Sequence, residues 1–206
     1  MKKPKYTTAP TTHEDELYNN GQWPIAGMDE AGRGPLAGPV VACAVILPHG
    51  FIIEGVNDSK KISQKRREKL AESIKEVALC YAFGIVDVDE IERINILQAT
   101  LLAMQIAVNN LTIAPAITLI DGTTRPELSC TSVCIPKGDS ESHLIAAASI
   151  LAKVERDNIM QELHNKYPQY GFEAHKGYGT VAHREALRLY GLCPHHRKSF
   201  CHVEKL

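Results

Sequence analysis

The distribution of apolar residues along the chain predicts strands and helices in an α/β arrangement. Short runs rich in apolar and β-branched residues are typical of strands, and they occur at 25–31, 39–47, 80–88, 117–122 and 131–136. Longer segments repeat their apolar residues at helical spacing, at 63–78, 94–110, 140–167 and 180–191. Because strands come first and then alternate with helices, we expect a mixed sheet with helices packed on it.

The two ends of this pattern bound the folded region. Residues 1–20 are polar, rich in threonine and aperiodic, so we expect a flexible or loosely docked arm there. The domain itself is expected to cover residues 21–206 and to include a short helical segment at its C-terminal end. A domain of this length buries about 70% of its unfolded surface, which is enough for stability without disulfides.

Nothing in the sequence indicates secretion or a membrane. The N-terminal segment lacks the apolar core of a signal peptide, and the chain has no run of about 18 apolar residues. The six cysteines are therefore expected to be reduced thiols in a cytoplasmic protein without a membrane partner.

Charge is informative locally and not in bulk. The formal net charge is −1, which does not announce a nucleic-acid-binding protein. The segment from Lys60 to Lys69, however, contains six basic residues and only one acidic residue, Glu68. Two interpretations stay open: a solvated helix face, or a patch that faces phosphates.

Three short acidic stretches, MDEAGRG, LIDG and PKGDS, fall where predicted strands end. Ligand sites of open α/β sheets collect at strand ends, so these carboxylates are expected to converge. They belong to Asp29, Glu30, Asp121 and Asp139. Crowded carboxylates repel one another, and a divalent cation such as Mg²⁺ or Mn²⁺ relieves the repulsion. The alternative is that each aspartate before a glycine only forms a local turn.

The loop after the first acidic pair raises a geometric question. Asp29 and Glu30 are neighbours on a strand and point to opposite faces unless the strand ends or bends, and Gly32 and Gly34 permit a bend. The GRGPLAG segment lacks the spacing of dinucleotide-binding and P-loop motifs. Its backbone N–H groups, with Arg33, could instead hold a phosphate or a sugar hydroxyl.

The C-terminal segment CPHHRKSFCH concentrates Cys193, His195, His196, Cys201 and His202. A zinc site is one interpretation, although the segment lacks the usual pair of cysteines two residues apart. The other is a set of basic and imidazole groups beside a nucleic-acid track.

Seven motifs in one order resemble those of bacterial ribonuclease HII. They are GMDEAGRGPLAGPVVACAVIL, NDSKKIS, INILQATLLAM, LIDG, KGDS followed by IAAASILAKVERD, HKGYGT and CPHHRKSF. The resemblance runs from about residue 25 to residue 200. It implies a ribonuclease H-like mixed β-sheet flanked by helices, with a small C-terminal helical extension. It also implies an endonuclease that hydrolyses the RNA strand of RNA–DNA hybrids and cuts 5′ of single ribonucleotides in duplex DNA. The sister family ribonuclease HIII matches less well, because it carries a large N-terminal substrate-binding domain and lacks the GRG triplet.

The resemblance further implies the chemistry and the residues that perform it. Hydrolysis with two Mn²⁺ or Mg²⁺ ions would leave a 5′-phosphate and a 3′-hydroxyl. The implied metal ligands are Asp29, Glu30, Asp121 and Asp139. The residues implied to grip the 2′-hydroxyl at the RNA-to-DNA junction through backbone groups are Gly32, Arg33 and Gly34. Tyr178 would stack on the sugar of the following deoxynucleotide, and Lys60 and Arg197 would meet phosphates.

Some expectations concern assembly and alternatives. We expect a monomer whose substrates are RNA–DNA hybrids and ribonucleotide-containing duplexes, and no docking peptide for a protein partner is recognisable. Glu141 departs from the family pattern, because it adds negative charge beside a phosphate track. Two other functions stay open: a nucleic-acid-binding module with a structural Mg²⁺ and no hydrolysis, and a zinc-containing interaction protein.

Overall fold

A computed structural model of the protein describes residues 6–201. Its centre is a five-stranded mixed sheet with the order β3-β2-β1-β4-β5. The strands are β1 (Ile25–Ala31), β2 (Val40–Ile46), β3 (Cys80–Val86), β4 (Ile117–Asp121) and β5 (Thr131–Ile135). The first three strands pair antiparallel, whereas β1, β4 and β5 pair parallel. Each strand lies inside a run that the sequence predicts.

Helices cover both faces of the sheet and continue into a C-terminal extension. They are α1 (Thr12–Asn19), α2 (Gln64–Val77), α3 (Val88–Asn109), α4 (Gly138–Glu141), α5 (His143–Lys166), α6 (Phe172–His175), α7 (Val181–Tyr190) and α8 (Lys198–Cys201). Helices α6, α7 and α8 enclose a small apolar cluster around Phe172 and Leu187. This extension agrees with the expected helical segment at the C-terminal end.

Alternate residues of β2 face two different helices, as the pleat of a strand requires. Cys43 and Val45 join the cluster formed with α5, and Ala42 and Ala44 join the cluster formed with α3. The strands approach these helices closely where they carry glycine. A Cβ at Gly84 would lie 1.8 Å from the carbonyl oxygen of Ala103 in α3, so the close packing of β3 on this helix requires glycine.

Helix α3 begins earlier than the apolar period predicts. The side chain of Asp87 accepts a hydrogen bond from Glu90 N at 3.2 Å, so Asp87 caps the N-terminus of the helix. The helix is kinked at Asn95, which has a φ of 69° and whose Oδ1 accepts from Leu97 N and Gln98 N. By length and composition alone α3 could cross a membrane, but its buried residues pack against β2 and β3.

The expected flexible arm is corrected for residues 6–20, while residues 1–5 lie outside the described residues. Helix α1 docks through the buried Glu14, whose Oε1 accepts from Ser142 Oγ at 2.6 Å and from Leu144 N at 2.9 Å. Ala9 N donates to Val56 O at 2.8 Å. The hydrogen-bond partners of Glu14 lie more than a hundred residues away in the sequence, so local composition could not reveal this docking.

Candidate active site

The pairing of β1 with β4 brings two of the predicted acids together. The two strands run parallel, and Met28 lies opposite Ile120 as the last pair of the register. The next residues, Asp29 and Asp121, therefore follow side by side where this pairing ends, while Asp29 stays paired with Cys43 of β2 and Asp121 with Ile135 of β5. Parallel strands present their carboxyl ends at one edge, where ligand sites collect.

Asp139 reaches the same edge through the turn after β5. Gly138 N donates to Asp121 Oδ1 at 2.6 Å, which ties the start of α4 to the end of β4. A Cβ at Gly138 would lie 2.5 Å from Ile145 Cδ1, so a larger residue there would require the side chain of Ile145 to shift. Asp139 itself is buried.

Glu30 shares a cleft with Asp29, despite being its neighbour on the strand. Both line a cleft of about 200 Å³. Glu30 N donates to Asp29 Oδ1 at 2.7 Å, and Glu30 Oε1 accepts from Arg33 Nη1 at 3.4 Å. The backbone turns directly afterwards at Gly32, where φ is +101°. The bend that the glycines permit is therefore present.

Burial, and then neighbouring charges, perturb the pKa of Asp29, Glu30 and Asp139. Burial, and then the charges of Glu30 and Asp121, raise the pKa of Asp29 well above its usual range. Burial also raises the pKa of Glu30, against the opposing charge of Arg33. For Asp139, burial and then the charges of Asp58 and Asp121 raise the pKa. The site thus holds excess negative charge in a desolvated place, which is typical of functional sites.

The donor set suits a hard divalent cation, although the acids do not form a closed coordination shell. All the candidate donors are carboxylate oxygens, the type that Mg²⁺ and Mn²⁺ prefer. Within residues 6–201, no group of three or more His, Cys, Asp or Glu side chains is arranged to hold a metal ion. Asp29 and Asp121 each turn an oxygen to a backbone N–H instead. The chemistry of the acids therefore agrees with a hard divalent cation.

Lys60 lies at the rim of this group. Its Nζ is 4.0 Å from Asp139 Oδ2, and its side chain is 85% exposed. Burial lowers the pKa of Lys60, but the charges of Asp139 and Asp29 outweigh this and leave it raised. An exposed ammonium beside the acids is placed to meet a phosphate, and that role stays a prediction.

Other residues line the cleft that the sequence did not single out: Ser59, Ser149, Lys153 and Arg156. Ser59 Oγ and Ser149 Oγ are 3.0 Å apart, and Lys153 Nζ donates to Asp157 Oδ1 at 2.6 Å. The polar residues of SILAKVERD recur three to four positions apart and so share one helix face. That spacing is the signal that could have identified them.

The basic stretch at 60–69 divides into two parts. Arg67 is buried, and its Nη1 donates to Ser59 O at 2.6 Å and to Ile62 O at 3.3 Å. Lys61, Lys65, Arg66 and Lys69 instead line an open pocket of about 430 Å³ on the surface. Arg67 therefore supports the fold, and the two interpretations of the remaining residues stay open.

The placement of Arg197 corrects its expected contact with phosphates. Its side chain is fully buried, and its guanidinium donates only to backbone carbonyls of residues 32–38. Burial, and then the charge of Arg156, lower its pKa to about 9, which leaves it charged at neutral pH. A basic residue in a histidine-rich segment looks exposed in sequence, because composition does not show which side chains turn inward.

Tyr178 lies beside the GRG loop with its side chain accessible. Tyr178 is 47% exposed, and a Cβ at Gly34 would lie 3.8 Å from Tyr178 Cε1. Leu36 N donates to Gly177 O at 2.8 Å, which connects the two loops. The expected partners in reading a nucleotide junction are therefore neighbours.

The zinc interpretation of the C-terminal segment finds no support in the described residues. Cys193 N donates to His196 Nδ1 at 2.9 Å, and His196 Nε2 is 3.0 Å from His183 Nε2, so both imidazole nitrogens of His196 are used. No metal-holding group occurs within residues 6–201. His202 lies outside this range.

Comparison with known proteins gives consistent matches. The sequence profile of the family described as Ribonuclease HII matches residues 26–203. The ribonuclease HII of Acetivibrio thermocellus is 54% identical over 188 residues, which cover 91% of this chain and 73% of the relative. That of Chlamydia caviae is 52% identical over 198 residues, which cover 95% of this chain and 92% of the relative.

Solved structures agree with these matches. The crystal structure of ribonuclease H2 from Pyrococcus horikoshii has a TM-score of 0.72 at 29% identity and covers 88% of this chain and 97% of its own. Ribonuclease HII of Archaeoglobus fulgidus, solved in a complex with PCNA, has a TM-score of 0.69 at 28% identity and covers 84% of this chain and 93% of its own. Bst-RNase HIII in complex with Mn²⁺ is 19% identical with a TM-score of 0.68, covers 88% of this chain and 68% of its own, and bears on the fold alone. The expected ribonuclease H-like mixed sheet is confirmed.

Proposed function

The chain belongs to the ribonuclease HII family and is a ribonuclease H type 2 endonuclease, and on this basis we propose which bond it cuts. It hydrolyses the RNA strand of RNA–DNA hybrids and incises duplex DNA on the 5′ side of a single embedded ribonucleotide. The products are a 5′-phosphate and a 3′-hydroxyl. Such an activity starts the excision of ribonucleotides from DNA, and we place it in the cytoplasm.

One observation carries this proposal: the acids and the GRG loop are continuous in space. The register of β1 and β4 sets Asp29 beside Asp121, and the chain enters Gly32 only three residues after Asp29. A single nucleotide seated there meets the acidic cluster and an exposed backbone together. Recognition and cleavage then act on the same nucleotide.

Recognition at this place depends on the 2′-hydroxyl, which distinguishes RNA from DNA. We assign its binding to the backbone of Gly32, Arg33 and Gly34. Arg33 and Gly34 are exposed, and no described residue accepts a hydrogen bond from their N–H groups. We assign stacking on the next sugar to Tyr178, whose accessible ring lies near Gly34, so a ribonucleotide followed by a deoxynucleotide would match both elements.

In the cleavage step, a water oxygen adds to the scissile phosphorus and the bond from phosphorus to O3′ breaks. The oxygen of water stays on the 5′-phosphate, and its proton balances the leaving O3′ as the 3′-hydroxyl. Two divalent cations, Mn²⁺ or Mg²⁺, would neutralise the carboxylates when bound and lower the pKa of the attacking water. Asp29, Glu30, Asp121 and Asp139 would hold them, as the raised pKa of three of these acids supports.

The test is incubation with a DNA duplex that contains one ribonucleotide, labelled at both ends, with and without Mn²⁺. We expect one cut, on the 5′ side of the ribonucleotide, and only with the cation. An all-DNA duplex of the same sequence is the control. A cut on the 3′ side, or a product with a 2′,3′-cyclic phosphate, would contradict the mechanism. Tight binding without any incision would favour the binding module.

A further inference from the structure

Two buried arginines from distant parts of the chain meet at the GRG loop. Arg156 in α5 is 1% exposed, and Arg197 before α8 is 0% exposed. Buried guanidinium groups normally pair with carboxylates, because an unpaired buried charge is costly. Within residues 6–201, neither side chain donates a hydrogen bond to a carboxylate.

Arg197 is bonded to both ends of the loop. Its Nη1 donates to Arg33 O at 2.9 Å, and its Nη2 donates to Gly32 O at 2.6 Å. At the other end, Gly38 O accepts from Nε at 3.0 Å and from Nη2 at 2.7 Å. The planar guanidinium thus closes residues 32–38 into a loop of fixed width.

Arg156 holds the same loop from the helix beneath it. Its Nε donates to Pro39 O and its Nη2 to Ala37 O, both at 3.0 Å, while its Nη1 donates to Lys176 O at 3.0 Å. The contact requires glycine in the loop, because a Cβ at Gly32 would lie 2.1 Å from Arg156 Nε. One side chain therefore links the far end of this loop, at Ala37 and Pro39, to Lys176, two residues before Tyr178.

The hydrogen bonds from Arg197 to the carbonyls of the loop also determine which way the N–H groups of the same peptides point. The carbonyls of Gly32 and Arg33 point inward to the guanidinium, whereas the N–H groups of Arg33 and Gly34 have no acceptor among the described residues. We propose that Arg156 and Arg197 are positioning residues, which orient the loop so that its free N–H groups face the 2′-hydroxyl of the substrate. The cost of burying two charges is then offset by a loop that is ordered before the substrate arrives.

This inference rests on the proposed function, and its test uses the intact chain. The variants are Arg197→Lys and Arg156→Lys, which keep a positive charge and lose the planar set of donors. Arg188→Lys is the matched control, since Arg188 only pairs with Glu185 on the exposed side of α7. For each, the dissociation constant is measured without metal for a duplex with one ribonucleotide and for the same all-DNA duplex.

The preference is the dissociation constant for the all-DNA duplex divided by that for the duplex with one ribonucleotide. We expect this ratio to fall toward one by about 10-fold in both loop variants, which is the size of one lost hydrogen bond. In Arg188→Lys the ratio should stay unchanged. A purely structural role lowers the folded fraction but leaves this ratio unchanged, so an unchanged ratio with a lower melting temperature overturns the proposal. If the wild type itself does not prefer the ribonucleotide, the proposed recognition fails and not the role of the arginines alone.

A measurement on the wild type keeps the proposal testable where a variant does not fold. The backbone order parameters of Arg33 and Gly34 in the free protein should match those of regular structure, about 0.85. Values below about 0.6 would show that the loop is mobile on the picosecond-to-nanosecond timescale and would overturn the proposal. In Arg197→Ala, added methylguanidinium should restore the ratio of dissociation constants, and failure to do so counts against positioning by the guanidinium.

Discussion

The Nε2 atoms of His183 and His196 lie 3.0 Å apart in a buried chain of hydrogen bonds. Cys193 N donates to His196 Nδ1, so the proton of that imidazole is on Nε2 and points at His183 Nε2. His183 Nδ1 then carries its proton and donates to Tyr178 O at 2.9 Å. Both imidazole rings are neutral in this arrangement, and the backbone carbonyl of Tyr178 receives its hydrogen bond from the last of them.

The first prediction concerns pH. Burial lowers the pKa of His183 and of His196 to about 4, whereas unfolded histidine titrates near about 6.5. The unfolded state therefore binds protons that the folded state does not. The free energy of unfolding should fall as pH drops from about 6.5 to about 4, by up to about 1.4 kcal/mol per pH unit for each histidine.

Urea unfolding at several pH values measures this slope in the wild type and in His183→Gln. In the variant, the number of protons taken up on unfolding should be smaller by up to one, and its slope should be correspondingly shallower. The comparison therefore separates the contribution of His183 from that of the acids of the candidate active site. Burial raises the pKa of those acids, so they act in the opposite sense. Equal slopes in both proteins would contradict a His183 that is neutral in the folded state.

The second prediction is that Asp29→Asn separates activity from stability. Incision should fall by at least about 100-fold, the order of removing one electrostatic group from a site. Burial and the charges of Glu30 and Asp121 raise the pKa of Asp29, so removing its charge should raise the melting temperature. Turnover assays and thermal unfolding measure the two effects. Asp89→Asn, at an exposed acid, is the control; near-wild-type incision by Asp29→Asn would count against the site.

A related prediction concerns Asp121→Asn. Cleavage should be lost to a similar extent, while hybrid binding without metal stays within about threefold, because no phosphate contact is removed. Gly138 N can still donate to the amide oxygen of asparagine in place of Asp121 Oδ1, so the fold should be retained. Gel-shift and cleavage assays on one protein preparation check this. Parallel loss of binding and cleavage would indicate damage to the fold.

The fourth prediction assigns the role of Tyr178 to its ring. Tyr178→Ala should reduce incision at a single ribonucleotide by about 5- to 150-fold, which corresponds to about 1–3 kcal/mol of stacking. Tyr178→Phe should retain most of the activity. Tyr190→Ala serves as the matched control, because Tyr190 is 58% exposed on α7. Equal rates for Tyr178→Ala and the wild type would reject stacking.

The fifth prediction tests the docked N-terminal helix. Glu14 accepts from Ser142 Oγ and Leu144 N at the start of α5, so Glu14→Ala should lower the free energy of unfolding by about 1–3 kcal/mol. Chemical denaturation measures the change. Glu16→Ala, on the exposed side of α1, should be neutral. A neutral Glu14→Ala would show that the arm is dispensable.

The sequence predicts those parts of the fold that local pattern determines. The run IAGMDEA has the bounds of β1, and the position of Asp121 at the end of β4 follows from an apolar run closed by a turn residue. The docking of Glu14 is different, because it depends on hydrogen bonds to residues more than a hundred positions away. The kink at Asn95 interrupts a helix whose apolar period does not reveal it. The resemblance implied a phosphate contact for Arg197, whereas the structure buries this side chain against backbone carbonyls of residues 32–38.

The bond from Arg197 to the loop at residues 32–38 also has a consequence for biosynthesis. During translation the ribosome releases the acids and the GRG loop long before it adds Arg197. A nascent chain that has already folded its sheet therefore has the acids in place while the loop is not yet held by Arg197. Under the proposed role of this arginine, selectivity for ribonucleotides is completed only after residue 197 has been synthesised and has packed against the loop.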